Sequence, residues 1–312
     1  MIYVTPDYYA QFRCIAGDCR HSCCIGWEID IDPASQARYE ACGGAFGQRL
    51  RANILRDGEN ACFALGEGER CPFLNAQNLC DIYIHMGEDA LCQICTDHPR
   101  FRNFFTHRTE TGLGLCCEAA AALILTKQSP VTWVETDDGA PTEEPDADEE
   151  AVLAARDELY ALVQDRSRPL QERLDAVLGR CGMEPDDRTP AEWAEIYRSL
   201  ERLDPAWDNV LDALADAPEQ LFEVLPATLD TVGEQLAVYF LYRHFADGLD
   251  DGLCPERAAF AVHATRLLMG LMAHTAMEDG ALSVPDAVEL ARMYSSEIEY
   301  DEENINTLLE QM

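Results

Sequence analysis

Twelve of the 14 cysteines in this 312-residue chain lie in its first 117 residues, a density that constrains the fold before any other feature does. They are Cys14, Cys19, the adjacent pair Cys23-Cys24, Cys42, Cys62, Cys71, Cys80, Cys92, Cys95 and the pair Cys116-Cys117; the rest of the chain holds Cys181 and Cys254. Thiols this close must be held as disulfides or as thiolates on a metal or cluster. Disulfides persist in oxidising compartments, which a chain enters through a signal peptide. The start, Met1-Ile-Tyr-Val-Thr-Pro-Asp-Tyr-Tyr, has no basic region followed by an apolar one. A chain of this length, 47% hydrophobic, also buries a core without covalent staples. The expectation is metal or cluster ligation in a soluble, cytoplasmic protein.

Charge narrows the partners. Residues 1–130 carry 11 Lys/Arg against 16 Asp/Glu, whereas residues 131–312 carry 12 against 42. A surface that acidic repels nucleic acid and anionic lipid, and draws a Lys-rich protein or a cation. No stretch reaches the ~18 uninterrupted apolar residues of a membrane span. The nearest, Ala258 to Met277, is broken by His263, Arg266 and His274. Neither nucleic acid nor membrane is expected as a partner, and oligomeric state is not encoded legibly.

The pattern predicts a mainly α protein in three stretches. Residues 1–130 read as a small, irregular, Cys-rich α+β metal-binding module. Residues 131–150 read as an acidic linker or loop, because Glu135 to Glu150 contains nine acids, two prolines and no basic residue. Residues 151–312 read as an all-helical domain. In the module, Trp27-Glu-Ile-Asp-Ile-Asp32 alternates as a half-buried strand does, ended by Pro33, and short helices are expected from Ser35 and from Cys117. Gly66-Glu-Gly and Asn75-Ala-Gln-Asn read as turns. In the helical domain, helices are expected over Pro169–Cys181, Pro190–Leu203, Pro205–Ala215, Val232–Ala246, Pro255–Met277, Pro285–Tyr300 and Asn304–Gln311.

Ligand spacing is the most specific signal. Cys14-x4-Cys19-x3-Cys23-Cys24 supplies four thiols in eleven residues, followed by Cys71-Pro-Phe-Leu-Asn-Ala-Gln-Asn-Leu-Cys80, Cys92-x2-Cys95-Thr-Asp-His98-Pro99-Arg100 and Cys116-Cys117-Glu118. Tetrahedral zinc and four-iron clusters both take four thiolates from short bent segments, so spacing alone leaves the metal open. The paired zinc-ribbon pattern, the Cys-x3-Cys-x2-Cys triplet of radical enzymes and a Gly-x-Gly-x-x-Gly dinucleotide loop are all absent.

Phe12-Arg-Cys14 through Cys19, Cys23-Cys24, Trp27 and Asp32, with Tyr39 beyond, resembles the opening signature of the flagellin lysine-N-methylase family. Later blocks are similar too: Cys71-Pro-Phe-Leu…Leu79-Cys80-Asp-Ile, Cys95…Pro99-Arg100 and Leu115-Cys116-Cys117-Glu118-Ala-Ala. So is the tail, Tyr239…Leu241-Tyr-Arg243-His244-Phe245 and Tyr294-Ser-Ser-Glu297-Ile-Glu299-Tyr…Asn304. The core of the cysteine pattern also resembles small proteins described as zinc- or iron-chelating. The resemblance implies methyl transfer from S-adenosylmethionine to flagellin lysines, with a [4Fe-4S] cluster on cysteines. The thiols at its motif positions are Cys14, Cys19, Cys23, Cys24, Cys71, Cys80, Cys95 and Cys117. Eight exceed the four that one cluster needs, so zinc is possible instead or in addition. Cys42, Cys62, Cys92 and Cys116 fall outside the pattern and read as plain buried thiols.

A deprotonated lysine amine attacks a sulfonium methyl directly, so polar displacement is expected rather than radical chemistry. Glu118 is a candidate for binding the lysine or the donor, or equally a first-turn helix acid. Arg100 is a candidate for the donor carboxylate, or a structural ion pair. Tyr239, Arg243 and His244 share a buried-looking helix, as a donor pocket or as core. Glu297 and Glu299 read by default as a solvated helix face, and Trp27 is expected to pack beside the metal. The competing class is a non-catalytic zinc- or iron-binding interaction or chaperone module for a basic protein.

Overall fold

The computed structural model describes residues 1–58, 60–222 and 225–312, the side chain of residue 279 aside. The protein is mainly α, as expected, and divides into two compact units. One comprises residues 13–100 with 117–119; the other comprises 1–12, 101–116 and 120–312.

The division therefore differs from a cut at residue 130, and a sheet explains why. Ile2–Pro6 pairs in parallel with Arg108–Leu113 and antiparallel with Trp133–Asp137, and Arg100–Phe104 completes the order on the far side of Arg108–Leu113. These strands are not legible as a sheet in the sequence. They carry the N-terminus and the first part of the acidic run into the larger unit.

The acidic run is likewise more than a linker. Glu135 and Asp137 lie in a strand, and Asp146 caps the helix Ala147–Val163 by accepting from the Glu149 amide at 2.8 Å. Asp148, Glu149 and Glu150 occupy its first turn, where the helix dipole favours negative charge. Charge that looks like self-repulsion is partly helix initiation.

Among the described residues, 151–312 contains no strand. The helices are Leu170–Cys181, Pro190–Arg198, Trp207–Ala215, Asp230–His244, a short turn of helix at Gly248–Asp251, Cys254–Asp279, Val284–Ile298 and Glu302–Leu309. Pro190, Pro255 and Pro285 sit in first turns, and Thr189 with Glu192 forms a reciprocal capping box. The Pro190 helix stops at Arg198, short of Leu203.

Asp230–His244 is the centre of this unit: every residue from Gly233 to His244 is buried. At Gly233 a Cβ would overlap Met269 Sδ and Leu170 Cδ2, so any larger residue here forces those two side chains to shift. Glu234, fully buried one residue on, is neutralised by Arg166 at 2.8 Å and Arg173 at 2.7 Å. Glu110 on the sheet meets Arg156 at 2.6 Å, both buried. Removing one partner of such a pair leaves a buried charge uncompensated.

One histidine in this core sets an acid limit. His263 stacks on Trp193 with centroids 3.7 Å apart, and its Nε2 lies 3.1 Å from the Tyr197 hydroxyl. Burial, then the nearby Arg266 charge, pushes it down to about 3. A histidine depressed in the folded state stabilises above its ordinary value, about 6.5, and loses that contribution as pH falls. From pH 7 to 5 the expected loss is about 2 kcal/mol from this residue. Calorimetry should show that His263→Phe flattens the acid slope of Tm; an unchanged slope would refute the assignment.

The smaller unit is built from short pieces. Trp27 to Asp32 is extended, with Ile29 and Ile31 buried and Glu28 and Asp30 outside the core, as alternation requires. It bonds Asn60–Phe63 through Ile31 N to Ala61 O (2.7 Å) and Phe63 N to Ile29 O (3.1 Å), but forms only an isolated bridge. Asn60–Phe63 in turn pairs with Ile54–Asp57. Pro33–Ala41 follows with Asp32 as its cap: one oxygen takes the Ser35 amide at 2.9 Å, the other the Gln93 amide at 2.8 Å. One carboxylate thus starts two helices, the second being Gln93–Asp97.

Candidate metal centre and buried polar network

All 14 cysteines carry free thiols. Six of them, Cys24, Cys42, Cys71, Cys80, Cys92 and Cys95, pack on one apolar cluster with Ile29, Ile31, Tyr39, Leu50 and Phe73. Local folding explains the convergence. The Cys71 amide donates to the Cys24 carbonyl at 2.8 Å, and the Cys71-Pro-Phe-Leu turn closes at 3.1 Å and bridges back to Cys80. Cys92 precedes the helix that carries Cys95, whose thiol is hydrogen-bonded to it. The Cys92 sulfur also lies 3.2 Å from the Tyr39 hydroxyl.

Of the other thiols at motif positions, Cys14 is exposed and Cys19, Cys23 and Cys117 are half-buried, as are Cys24, Cys80 and Cys95. Ala16, at φ 49°, turns the Cys14–Cys19 loop and donates its amide to Cys14 Sγ at 3.4 Å. Cys19 donates to the His21 carbonyl at 3.2 Å. Trp27 does sit beside the thiols, its indole N–H bonded to the Cys23 carbonyl at 2.6 Å.

The electrostatics suit a sulfur-bound cation. Burial, followed by Cys24, Cys80 and Cys92, pushes Cys71 up to about 12. Burial and Glu118 push Cys19 up to about 12. In each contacting pair one thiol donates to the other: Cys24 is held low by its hydrogen bond with Cys23, and Cys92 by its bond with Cys95. Several thiolates so close repel one another unless a cation lies between them. Soft sulfur donors in this number fit zinc or an iron–sulfur cluster.

Glu118 is buried at the first position of the helix Glu118–Leu125. Its carboxylate accepts the Arg20 amide at 2.9 Å and the Arg20 guanidinium at 3.0 Å. Arg20, in the Cys19–Cys23 loop, is not singled out by the sequence, although its place between ligand positions is the available signal. Arg100 donates to the Thr96 carbonyl at 2.9 Å, at the end of the Cys95 helix.

The tail residues converge elsewhere, inside the larger unit. Glu299 has a fully buried carboxylate that accepts from Tyr239 at 2.9 and 3.0 Å, and its Oε1 lies 2.7 Å from His244 Nε2 and 3.3 Å from Arg243 Nε. Burial pushes this carboxyl up, but Arg243 and His244 outweigh it and hold it below the usual range. Burial keeps His244 low. Arg243 also donates to the Tyr239 oxygen at 3.0 Å and lies over the Phe101 and Tyr300 rings. Cys116 donates to the Tyr300 hydroxyl at 3.0 Å. Glu299 is therefore no solvated face, and neither is Glu297, which is buried and accepts the Leu203 and Asp204 amides at 2.9 and 2.7 Å. Their two-residue spacing at a helix end turns one towards a loop and the other towards the central helix. A groove of about 630 Å³ in the same unit, lined by Leu125, Val232, Ala276, Met277 and Leu282 among others, is faced by none of the candidate residues.

Residues 180–312 match the family described as the FliB lysine N-methylase C-terminal domain, the stretch holding Tyr239, Arg243, His244 and Glu299. The chain is 27% identical over 129 residues to a lysine-N-methylase of Salmonella typhimurium, covering 38% of this chain and 31% of that one. A lysine-N-methylase of Salmonella choleraesuis matches to the same extent. The flagellar biosynthetic protein FliU of Salmonella muenchen is 27% identical over 129 residues, covering 75% of its length. The match thus spans about a third of the length of the two lysine-N-methylases. No solved structure matches. Among the described residues, no helix is long and apolar enough to cross a membrane.

Proposed function

We propose that this chain, a relative of the flagellin lysine-N-methylases, transfers methyl groups from S-adenosylmethionine to lysine side chains of flagellin or another surface protein. The observation that carries this reading is the family match over residues 180–312, with the cysteine blocks in support. The excess of acid over base in residues 131–312 suits a lysine-rich partner.

The chemistry asked of the protein is modest. A neutral ε-amine attacks the sulfonium methyl, the C–N bond forms as the C–S bond breaks, and the electron pair stays on the departing thioether. The amine must first lose its proton and lie in line with the methyl. Glu118 and Arg100 are the residues assigned to lysine and donor, with Arg20 fixing the Glu118 carboxylate. Tyr239, Arg243 and His244 are candidates for binding the donor within the larger unit, where their polar atoms bond Glu299 and one another. Cys14, Cys19, Cys23, Cys24, Cys71, Cys80, Cys95 and Cys117 would hold a [4Fe-4S] cluster or zinc, which anchors the donor or braces the fold.

Incubating the metal-loaded protein with methyl-labelled S-adenosylmethionine and flagellin, then mapping lysines by mass spectrometry, tests the reading. Label on lysine is expected, falling on the order of 10²-fold in Glu118→Gln. Tight binding of flagellin with neither donor binding nor label would instead establish the non-catalytic module.

A further inference from the structure

We propose that the apolar groove of the larger unit docks an amphipathic segment of the lysine-bearing protein substrate, its apolar side chains in the groove and its lysines against the acids that border it. That the partner is a methylation substrate rests on the proposed function; the chemistry of the groove does not. The walls are the start of Asp230–His244, the last turns of Cys254–Asp279 and the first turn of Val284–Ile298, joined by Leu125. Gly280, left-handed at φ 80°, ends the second of these helices and turns the chain towards the third. The volume of about 630 Å³ lies within the ~300–1,000 Å³ of ligand sites. Two of the lining side chains remain in water: Met277 is 78% exposed and Val284 53%. Val232, Ala276 and Leu282 line the same groove. Apolar surface gathered this way marks an interaction site, and methionine adapts to the shape of its partner.

Polarity and charge select the occupant. A small polar ligand is oriented by several converging polar groups. The side-chain hydroxyls of the lining are those of Thr126, Thr228 and Ser283, and the first and last already bond the Ala122 carbonyl and the Asp286 carboxylate. The lining segments 226–232 and 273–287 contain Asp230, Glu278, Asp279 and Asp286 and no Lys or Arg. Lys127, two residues after Leu125, is held 2.7 Å from Asp7. The arginines of the three wall helices are engaged as well: Arg243 by Glu299, Arg257 by Asp251, Arg266 by Asp175 and Arg292 by Glu289. The border therefore carries negative charge with no cation to offset it along these segments. An apolar groove so bordered complements a helix whose apolar stripe is flanked by lysines. A second copy of this chain, with a formal charge of −35, meets the same border with the wrong sign. Anchoring one segment of the substrate raises the local concentration of its other lysines.

The test is fluorescence anisotropy on the full chain with a labelled peptide of about 18 residues, leucines in an i, i+3, i+4, i+7 stripe and lysines elsewhere. Two control peptides replace the lysines by glutamate or the leucines by serine. The leucine–lysine peptide is expected to bind, and both controls to bind at least about tenfold more weakly. Met277→Asn should weaken binding by about tenfold, and Glu278→Lys by about threefold with a flatter salt dependence. Both residues are exposed, so neither substitution disturbs the core. The proposal is overturned if the peptide does not bind, if the serine control binds equally well, or if neither variant changes the affinity. A dimer in sedimentation that Met277→Asn breaks up assigns the groove to a second copy and overturns it too. Binding is read without methyl transfer. Peptide bound but lysines never labelled refutes the methylase reading alone, whereas label without peptide binding refutes the docking groove alone.

Discussion

Stripped of the proposed metal under reducing conditions, residues 13–100 are expected to lose their protection from proteolysis and hydrogen exchange, while the helices of residues 151–312 keep theirs. The smaller unit has little else to hold it. Its longest helices, Pro33–Ala41 and Gly44–Ala52, have nine residues each, and Asp81–Met86 and Gln93–Asp97 have six and five. Isolated helices shorter than ~12–15 residues are marginal in water, and a lone two-stranded hairpin adds little. Thiolate-bound structural zinc contributes about 10–16 kcal/mol of apparent folding free energy in small modules. Several interior thiols would otherwise sit in apolar surroundings as weak hydrogen-bonding groups. A reductant alone should leave the unit folded, because its cysteines are not disulfide-bonded. Adding a strong chelator should raise exchange on amides such as those of Ile31, Phe63 and Cys71 by several orders of magnitude. Unchanged protection after complete metal removal would show that the apolar cluster suffices by itself.

What can be read from the sequence depends on how local the signal is. Helices opened by prolines are legible because a first-turn proline acts within a few residues, as at Pro190 and Pro285. The alternation from Trp27 to Asp32 correctly places Ile29 and Ile31 inside, although the segment makes only a bridge. The four-stranded sheet is hidden because its pairing is non-local: Ile2–Pro6 lies beside strands more than a hundred residues away. Its strands also carry charge, with Glu110 buried where Arg108 and Arg156 neutralise it. The helix Ala147–Val163 is obscured for a related reason. Its acidic first turn continues the preceding run, and composition cannot separate acids that repel one another from acids that favour a helix start.

The candidate site is legible as a set of residue types and less so as a set of neighbours. Grouped cysteines announce ligation at any spacing, so the thiols stand out. Cys92 falls outside the motif pattern, yet it packs in the apolar cluster beside Tyr39. Arg20 is invisible because its partner Glu118 is 98 residues away. Glu299 reads as solvated because a lone acid near the end of an acidic chain usually is. Nothing local reveals that a tyrosine, an arginine and a histidine more than 50 residues earlier converge on it.

Glu299→Ala is expected to destabilise the larger unit by about 3–5 kcal/mol, the cost of leaving a buried partner charge unpaired. Arg243, buried beside it, would keep its charge without the carboxylate 3.3 Å away. Tyr239 would lose the acceptor of its hydroxyl and His244 the group 2.7 Å from its Nε2, each adding the penalty of an unsatisfied buried polar atom. Glu299→Gln should cost less, because the amide oxygen still accepts from Tyr239 while the countercharge is gone. The pH dependence has a defined sign. The folded-state carboxyl is held below its ordinary value, so its contribution is complete above about pH 4.5 and disappears as pH falls through the folded value. Urea unfolding at pH 7 measures the single effects. Combining Glu299→Ala with Arg243→Ala then isolates the pair, with a coupling of about 1–3 kcal/mol expected between residues in direct contact. Strict additivity would mean that Arg243 finds its compensation in the Phe101 and Tyr300 rings and the Glu299 backbone carbonyl instead. In that case the carboxylate is retained for something other than stability, and the network becomes the place to look for contact with the proposed methyl donor.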